Sequence, residues 1–230
     1  MERESSPPPE LEPSEADFRE KVRKIENFEN LIASDKMTLL ALLCDAKPSM
    51  MHIMDFDDEM LKIEEFARTA EQNVRDFAQL LDDLGLTYTA DLDAYAAGDG
   101  WPGGYFVTFT IGKDAAAAER LRAATFAHGI TGRQKDIGLA LGYTPSAVEA
   151  FVNHACLPPE DLPEEIIMSD LLGFIKYRVS KDHLEEDLEL ARREMEVTKR
   201  ESPQLYEAMV KNGAERREEL LELRKNKSAG

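Results

Sequence analysis

A formal charge of −18, from 46 acidic against 28 basic residues in a 230-residue chain, makes nucleic acid and anionic membrane poor default partners and a basic protein surface a better one. That length suffices for one good hydrophobic core, or for one core with a helical appendage. The two cysteines, Cys44 and Cys156, form no C-x-x-C pair, which argues against a disulfide framework or a structural zinc and points to a reducing cytoplasm.

Residues 1–15 are acidic and proline-rich, show no leader pattern, and are expected to be disordered. From Asp17 to Ile32, Phe18, Val22, Ile25 and Ile32 recur at helical spacing, and Ser34 is placed to cap a second helix carrying Leu39, Leu40, Leu42 and Leu43. Lys47-Pro48 breaks it, because the residue before proline avoids the helical region. Met50–Phe56 reads as a buried strand. Asp57, Asp58 and Glu59 then open a long helix whose dipole they complement, with Ile63, Ala67, Ala70, Val74, Phe77, Leu81 and Leu84 on one stripe and Gly85 at its end. Leu86–Leu92 and Tyr105–Ile111 alternate with period two, predicting an antiparallel pair of strands. Their connection holds four glycines and Trp101, a candidate partner contact, since tryptophan is a frequent interface anchor. Asp114 caps the next helix.

Gly129–Asn153 is the most strongly patterned stretch. Its reading is helix, stop, helix: Ile137, Leu139, Ala140 and Leu141 in the first, Gly142 in a left-handed turn, Thr144 as cap and Pro145 at the first position of the second. Ala147, Val148, Phe151 and Val152 predict its buried face, leaving Ser146, Glu149, Ala150 and Asn153 outside. Residues 134–151 resemble a helix-turn-helix, with Gly138 allowing close approach of the helices. On that reading Arg133 and Lys135 neutralise phosphates while Ser146 and Asn153 face the bases. The second helix then offers no Arg or Lys and one carboxylate, Glu149, so the structural reading of this corner is favoured over the DNA-binding one. Leu141-Gly142-Tyr143-Thr144-Pro145 with Val148 and Phe151 also resembles the L-G-Y-P-x-x-x-V-x-x-F signature of uncharacterised bacterial domain families, although Thr144 interrupts it. Lys47-Pro48 upstream and Tyr177–His183 downstream are similar to those families in the same sense. That resemblance implies no particular activity.

After Leu157-Pro158-Pro159 the composition turns helical. Ile166, Ile167, Leu171, Leu172, Phe174, Ile175 and Val179 form an apolar entry, Leu184, Leu188, Ala191 and Met195 a stripe, and Ser202-Pro203 starts a last helix. The predicted architecture is therefore an α+β domain over residues 16–156, with a small antiparallel or mixed sheet covered by helices. A C-terminal helical hairpin follows over 157–226, and 227–230 form a disordered end.

Chemistry is sparse. Asp55, Asp57, Asp58 and Glu59 at a strand-to-helix junction could gather a divalent cation, but helix capping explains the same residues. His52, His128, His154 and His183 match no ligand spacing; with Cys156, a site would need His128 or Asp161 brought in by folding. No cofactor or metal is implied. The sequence predicts a soluble, non-enzymatic protein-interaction or scaffolding module, able to dimerise through its C-terminal helices. A helix-turn-helix regulator over 133–152 is the alternative, and a carboxylate-dependent metal enzyme the weaker one. No apolar run approaches the roughly 20 residues that span a bilayer.

Overall fold

The computed structural model describes residues 15–95, 103–126 and 130–229. It is an α+β fold. Helix α1 (Glu15–Asn27) buries Val22 and Ile25, and α2 (Ala33–Leu43) buries Met37 through Leu42 without interruption. A helix enclosed this completely takes its position from packing. Accordingly its N-cap is Ile32, with no side-chain bond, and Ser34 instead offers its carbonyl to the Thr38 hydroxyl at 2.9 Å.

Strand β1 (Ser49–Asp57) extends one residue beyond the expected strand at each end. The single long helix expected after it is two, α3 (Asp58–Leu61) and α4 (Glu64–Leu84), separated at Lys62 and Ile63. Asp57 causes the early start: its carboxylate accepts from Glu59 N at 2.7 Å and Met60 N at 3.4 Å, an N-cap that fixes a first turn. Gly85 ends α4 at φ +72°, as its position predicts. Strands β2 (Thr87–Tyr95) and β3 (Gly104–Gly112) pair antiparallel, and β1 joins the other edge of β3, giving the order β1-β3-β2.

In this register Met50, His52, Phe109, Ile111 and Tyr88 share one face. Phe77 of α4 packs edge-on against Phe109 there, ring centroids 4.9 Å apart. Helix α5 (Ala115–Thr125), capped by Asp114 through Ala117 N at 2.7 Å, covers the opposite face. It buries Thr108 and Thr110, and its Arg122 makes a two-pronged contact with Asp91 of β2 at 3.0 and 3.1 Å.

The corner follows as α6 (Ile130–Ala140) and α7 (Pro145–Val152). The apolar entry after Pro159 is not one helix. It comprises a 3-10 turn at Pro159–Asp161, the short α8 (Glu164–Ile167), a second 3-10 turn at Asp170–Phe174, and a segment that runs on through Ile175–Val179. Gly173 shows why: a Cβ there would lie 2.1 Å from Met209 O, so this turn is pressed onto backbone. Helices α9 (Leu184–Glu201) and α10 (Pro203–Ala229) are joined at Ser202. One continuous hydrophobic core runs from Val22 and Ile25 through Phe77 and Phe109 to Leu188, Met209 and Leu220. Among the described residues no helix is long and apolar enough to cross a membrane.

Candidate functional site

The turn and cap of the corner are built as their sequence prescribes. Gly142 adopts φ +84°, and a Cβ on it would also meet Pro48 Cδ at 2.6 Å. Gly138 brings the two helices together, since a Cβ there would lie 2.7 Å from Val148 Cγ2. Thr144 caps α7 through Ala147 N at 3.2 Å. Ser49 ties the end of α6 to β1 by donating to Ala140 O at 2.6 Å.

Beneath the corner lies a buried polar cluster. Asp187, fully buried in the first turn of α9, accepts from the Thr144 hydroxyl, from Ser146 Oγ at 2.6 Å and from Ser180 N at 2.7 Å. Burial opposes its ionisation, yet these donors outweigh it and hold the carboxyl below the usual range. Tyr143 stacks on Tyr177 with centroids 4.9 Å apart, and the Tyr177 hydroxyl donates to Asp187 O. Burial pushes the Tyr143 hydroxyl up to about 12. The Lys47 ammonium sits 4.8 Å from the centroid of the Tyr143 ring and faces Glu194 Oε1 at 3.6 Å. Both charged groups are buried, and burial lowers the Lys47 pKa against the pull of Glu194. Thus Lys47-Pro48, the Gly142–Pro145 turn and Tyr177–Ser180, far apart in sequence, are brought into one assembly.

Tyr143 and Tyr177 of this cluster also line a cavity of about 540 Å³, within the size range of small-molecule sites. Gly138, Leu141, Val148 and Phe151 of the corner form one wall; Ile175 through Val179, Leu157 and Leu162 form the other, with Arg216 of α10. Its polar residues are Gln134, Tyr143, Lys176, Tyr177, Arg178 and Arg216, and no carboxylate lines it among the described residues. Lys176 is solvent-accessible, but its ammonium is engaged, donating to Ser34 O at 3.1 Å and Thr38 Oγ1 at 2.5 Å. The protein packed around it lowers its pKa to about 8, with the Lys47 charge adding to burial and Glu194 and Asp35 opposing. Arg216 donates to Ile175 O at 2.6 Å.

A second exposed feature lies at the far end of the sheet. The α4 stripe is buried only in its C-terminal half, at Phe77, Leu80, Leu81 and Leu84. Ile63 and Phe66 are 51% and 45% exposed. Met60 on α3, Leu92 on β2 and Tyr105 on β3, which the topology places at the same end, are 45%, 67% and 40% exposed. In residues 53–68, 92–95 and 103–107, seven carboxylates accompany only Lys62 and Arg68. Both cations already pair, with Glu59 and Glu64.

The residues singled out from sequence fall as follows. Arg133 and Lys135 are exposed on α6, and Asn153 is exposed at the end of α7. Ser146 is half-buried with its hydroxyl committed to Asp187. The buried face of α7 is Ala147, Val148 and Ala150, not the expected one: Ala150 turns inward, while Phe151 is 45% exposed and lines the cavity. Trp101 and His128 lie outside the described residues. Asp55 accepts from the Tyr95 hydroxyl at 2.9 Å and Asp57 is an N-cap; among the described residues no three His, Cys, Asp or Glu side chains converge to hold a metal. His52 faces Asp35 at 3.2 Å and packs on Phe77, and His183 pairs with Glu186. Cys44 and Cys156 are free thiols pushed up by burial, Cys44 to about 11.

Sequence reasoning missed Asp187, Glu194 and the cavity residues Arg178 and Arg216. A signal existed for the first two: both lie among the apolar stripe positions of α9, next to Leu188 and three residues after Ala191. Carboxylates on an apolar stripe mark buried partners.

The fold and its surfaces define the class: an α+β protein with an apolar, cation-edged cavity at a helical corner and an apolar, acid-rimmed face at the end of its sheet. Comparison of the chain with protein-family models, with curated proteins and with solved structures finds no match.

Proposed function

We propose that the protein is a non-enzymatic interaction module that docks a basic protein surface on the far end of its sheet. One observation carries this reading: the apolar stripe of α4 continues through Ile63 and Phe66 past the point where the described residues bury it. Large apolar side chains gathered at one end and rimmed by polar groups mark interaction sites. The rim is carboxylate, which complements lysine and arginine around an apolar anchor and repels a second copy of the same face. The α9 and α10 stripes, by contrast, are buried in the chain's own core at Leu188, Leu190, Ala191, Leu205 and Met209, leaving less for dimerisation through them. Free thiols at Cys44 and Cys156 fit a cytoplasmic setting.

The test is site-specific photocrosslinking in cells from position 66, with position 185 on the exposed face of α9 as control. The reading expects a defined partner, crosslinked from position 66 through a lysine- or arginine-rich segment and lost in Leu92→Glu. Crosslinks only to a second copy, or equal yields from both positions, would overturn it.

The helix-turn-helix alternative retains the backbone of the corner and exposed Arg133 and Lys135. Against it, the N-terminal turn of a recognition helix must reach base edges, and here that turn is anchored on Asp187. It predicts salt-sensitive duplex binding that Arg133→Ala with Lys135→Ala abolishes.

A further inference from the structure

The cavity at the corner is independent of the docking face, and its charge runs opposite to that of the chain. In a protein of net charge −18, its edge gathers Arg178 and Arg216 with no carboxylate in the lining among the described residues. Arg178 is exposed and takes part in no hydrogen bond or ion pair among the described residues. Arg216 has one guanidinium bond, to Ile175 O, which leaves further N–H donors without a partner among the described residues. Lys176 has its ammonium placed elsewhere, so of the cations lining the cavity the two guanidinium groups are left to offer donors.

We propose that the cavity binds a small amphiphilic carboxylate, with its apolar part between α7 and the Ile175–Val179 segment and its carboxylate held by Arg178 and Arg216. The apolar walls, Leu141, Val148, Phe151 and Leu157 among them, supply a non-directional attraction for a hydrocarbon chain or ring. Guanidinium groups supply the direction, because their fork matches a carboxylate. The two guanidinium groups repel each other: burial and the like charge of Arg178 lower the pKa of Arg216 against the pull of Glu219. An anion between the two groups relieves that repulsion. The wall is also pre-formed, since Asp187 fixes the start of α7 and Gly138 fixes its distance from α6.

The experiment is isothermal titration calorimetry of the full chain with decanoate and with 1-decanol, both below their aggregation limits. Decanoate is expected to bind one site about tenfold or more tightly than decanol, the value of a charge-assisted hydrogen bond. Arg178→Gln, at an exposed side chain outside the core, should remove most of that preference and leave decanol binding unchanged. Ile137→Trp, which fills the cavity from a half-buried position, should abolish both, with an unchanged thermal melt confirming the fold. Equal affinities in the wild type overturn the proposal. So does an undiminished preference in Arg178→Gln, decanoate binding that survives a folded Ile137→Trp, or no binding of either probe.

Discussion

Lys47 and Glu194 form an ion pair that the fold cannot lose one half at a time. They are 4% and 1% exposed, their charged atoms are 3.6 Å apart, and Glu194 Oε1 has no hydrogen-bond partner among the described residues. At an effective dielectric of about 20, opposite unit charges at this distance attract by roughly 5 kcal/mol, while dehydrating each ion costs several. The pair therefore adds little net stability, but it holds α9 against the segment that leads into β1. Lys47→Met removes the compensating charge and should destabilise by about 3–5 kcal/mol, a large share of the 5–15 kcal/mol typical of a domain. Glu194→Met should cost a comparable amount. The double variant should recover most of the loss, because two apolar side chains of similar length fill the same space without dehydrated charge. Urea unfolding followed by circular dichroism reads this directly, with the midpoint of each single variant falling by roughly 1.5–2 M. Single costs below about 1 kcal/mol, or a double-variant cost equal to the sum of the singles, would refute the reasoning.

Two further predictions test the corner and the cavity wall. Gly142→Ala combines a left-handed backbone with a Cβ 2.6 Å from Pro48 Cδ, whereas Gly85→Ala at φ +72° meets only the end of Lys21 at 3.4 Å. The first should cost about 2–4 kcal/mol and the second about 1; equal thermal shifts would contradict the close approach to Pro48. Lys176 has its pKa lowered to about 8 from 10.5, so between those values the unfolded chain binds more protons than the folded one. Stability of the wild type relative to Lys176→Met should therefore rise from pH 8 to 10.5, while groups common to both proteins, such as Tyr143 and Cys44, cancel. Urea midpoints at pH 7.5, 9 and 10 check it, and a constant difference would show the ammonium to be as hydrated folded as unfolded.

Local chemistry was legible in the sequence wherever one residue decides a backbone conformation. Gly85 and Gly142 stand at positive φ, Asp114 and Thr144 cap their helices, and the period-two stretches pair as antiparallel strands. Failures came where tertiary packing decides. Ser34 lost its cap because α2 is positioned by burial on nearly all sides. Ile175–Val179 has the composition of a helix, but Gly173 is pressed against the α10 backbone and the chain leaves the turn extended. Spacing placed Phe151 on a buried face, yet a helical face is buried only where something lies opposite, and a cavity lies opposite Phe151. The same limit applies to α4, whose periodicity specifies a stripe without specifying the length of its cover.

These two shortfalls of cover differ in what surrounds them. Around the cavity the backbone is held by Asp187, by the Lys47–Glu194 pair and by glycines at contact distance, so opening it requires breaking buried polar contacts. At the far end of the sheet α4 leaves its N-terminal half partly exposed, and the nearby ion pairs, Lys62 with Glu59 and Arg68 with Glu64, are exposed and local. Exposed pairs of this kind contribute little. Local stability should therefore be graded along the molecule, lowest at α3 and the start of α4. A rigid cavity suits a small ligand, which has little area with which to order its site. A loosely covered apolar face suits a protein partner, whose larger buried area can order it on contact.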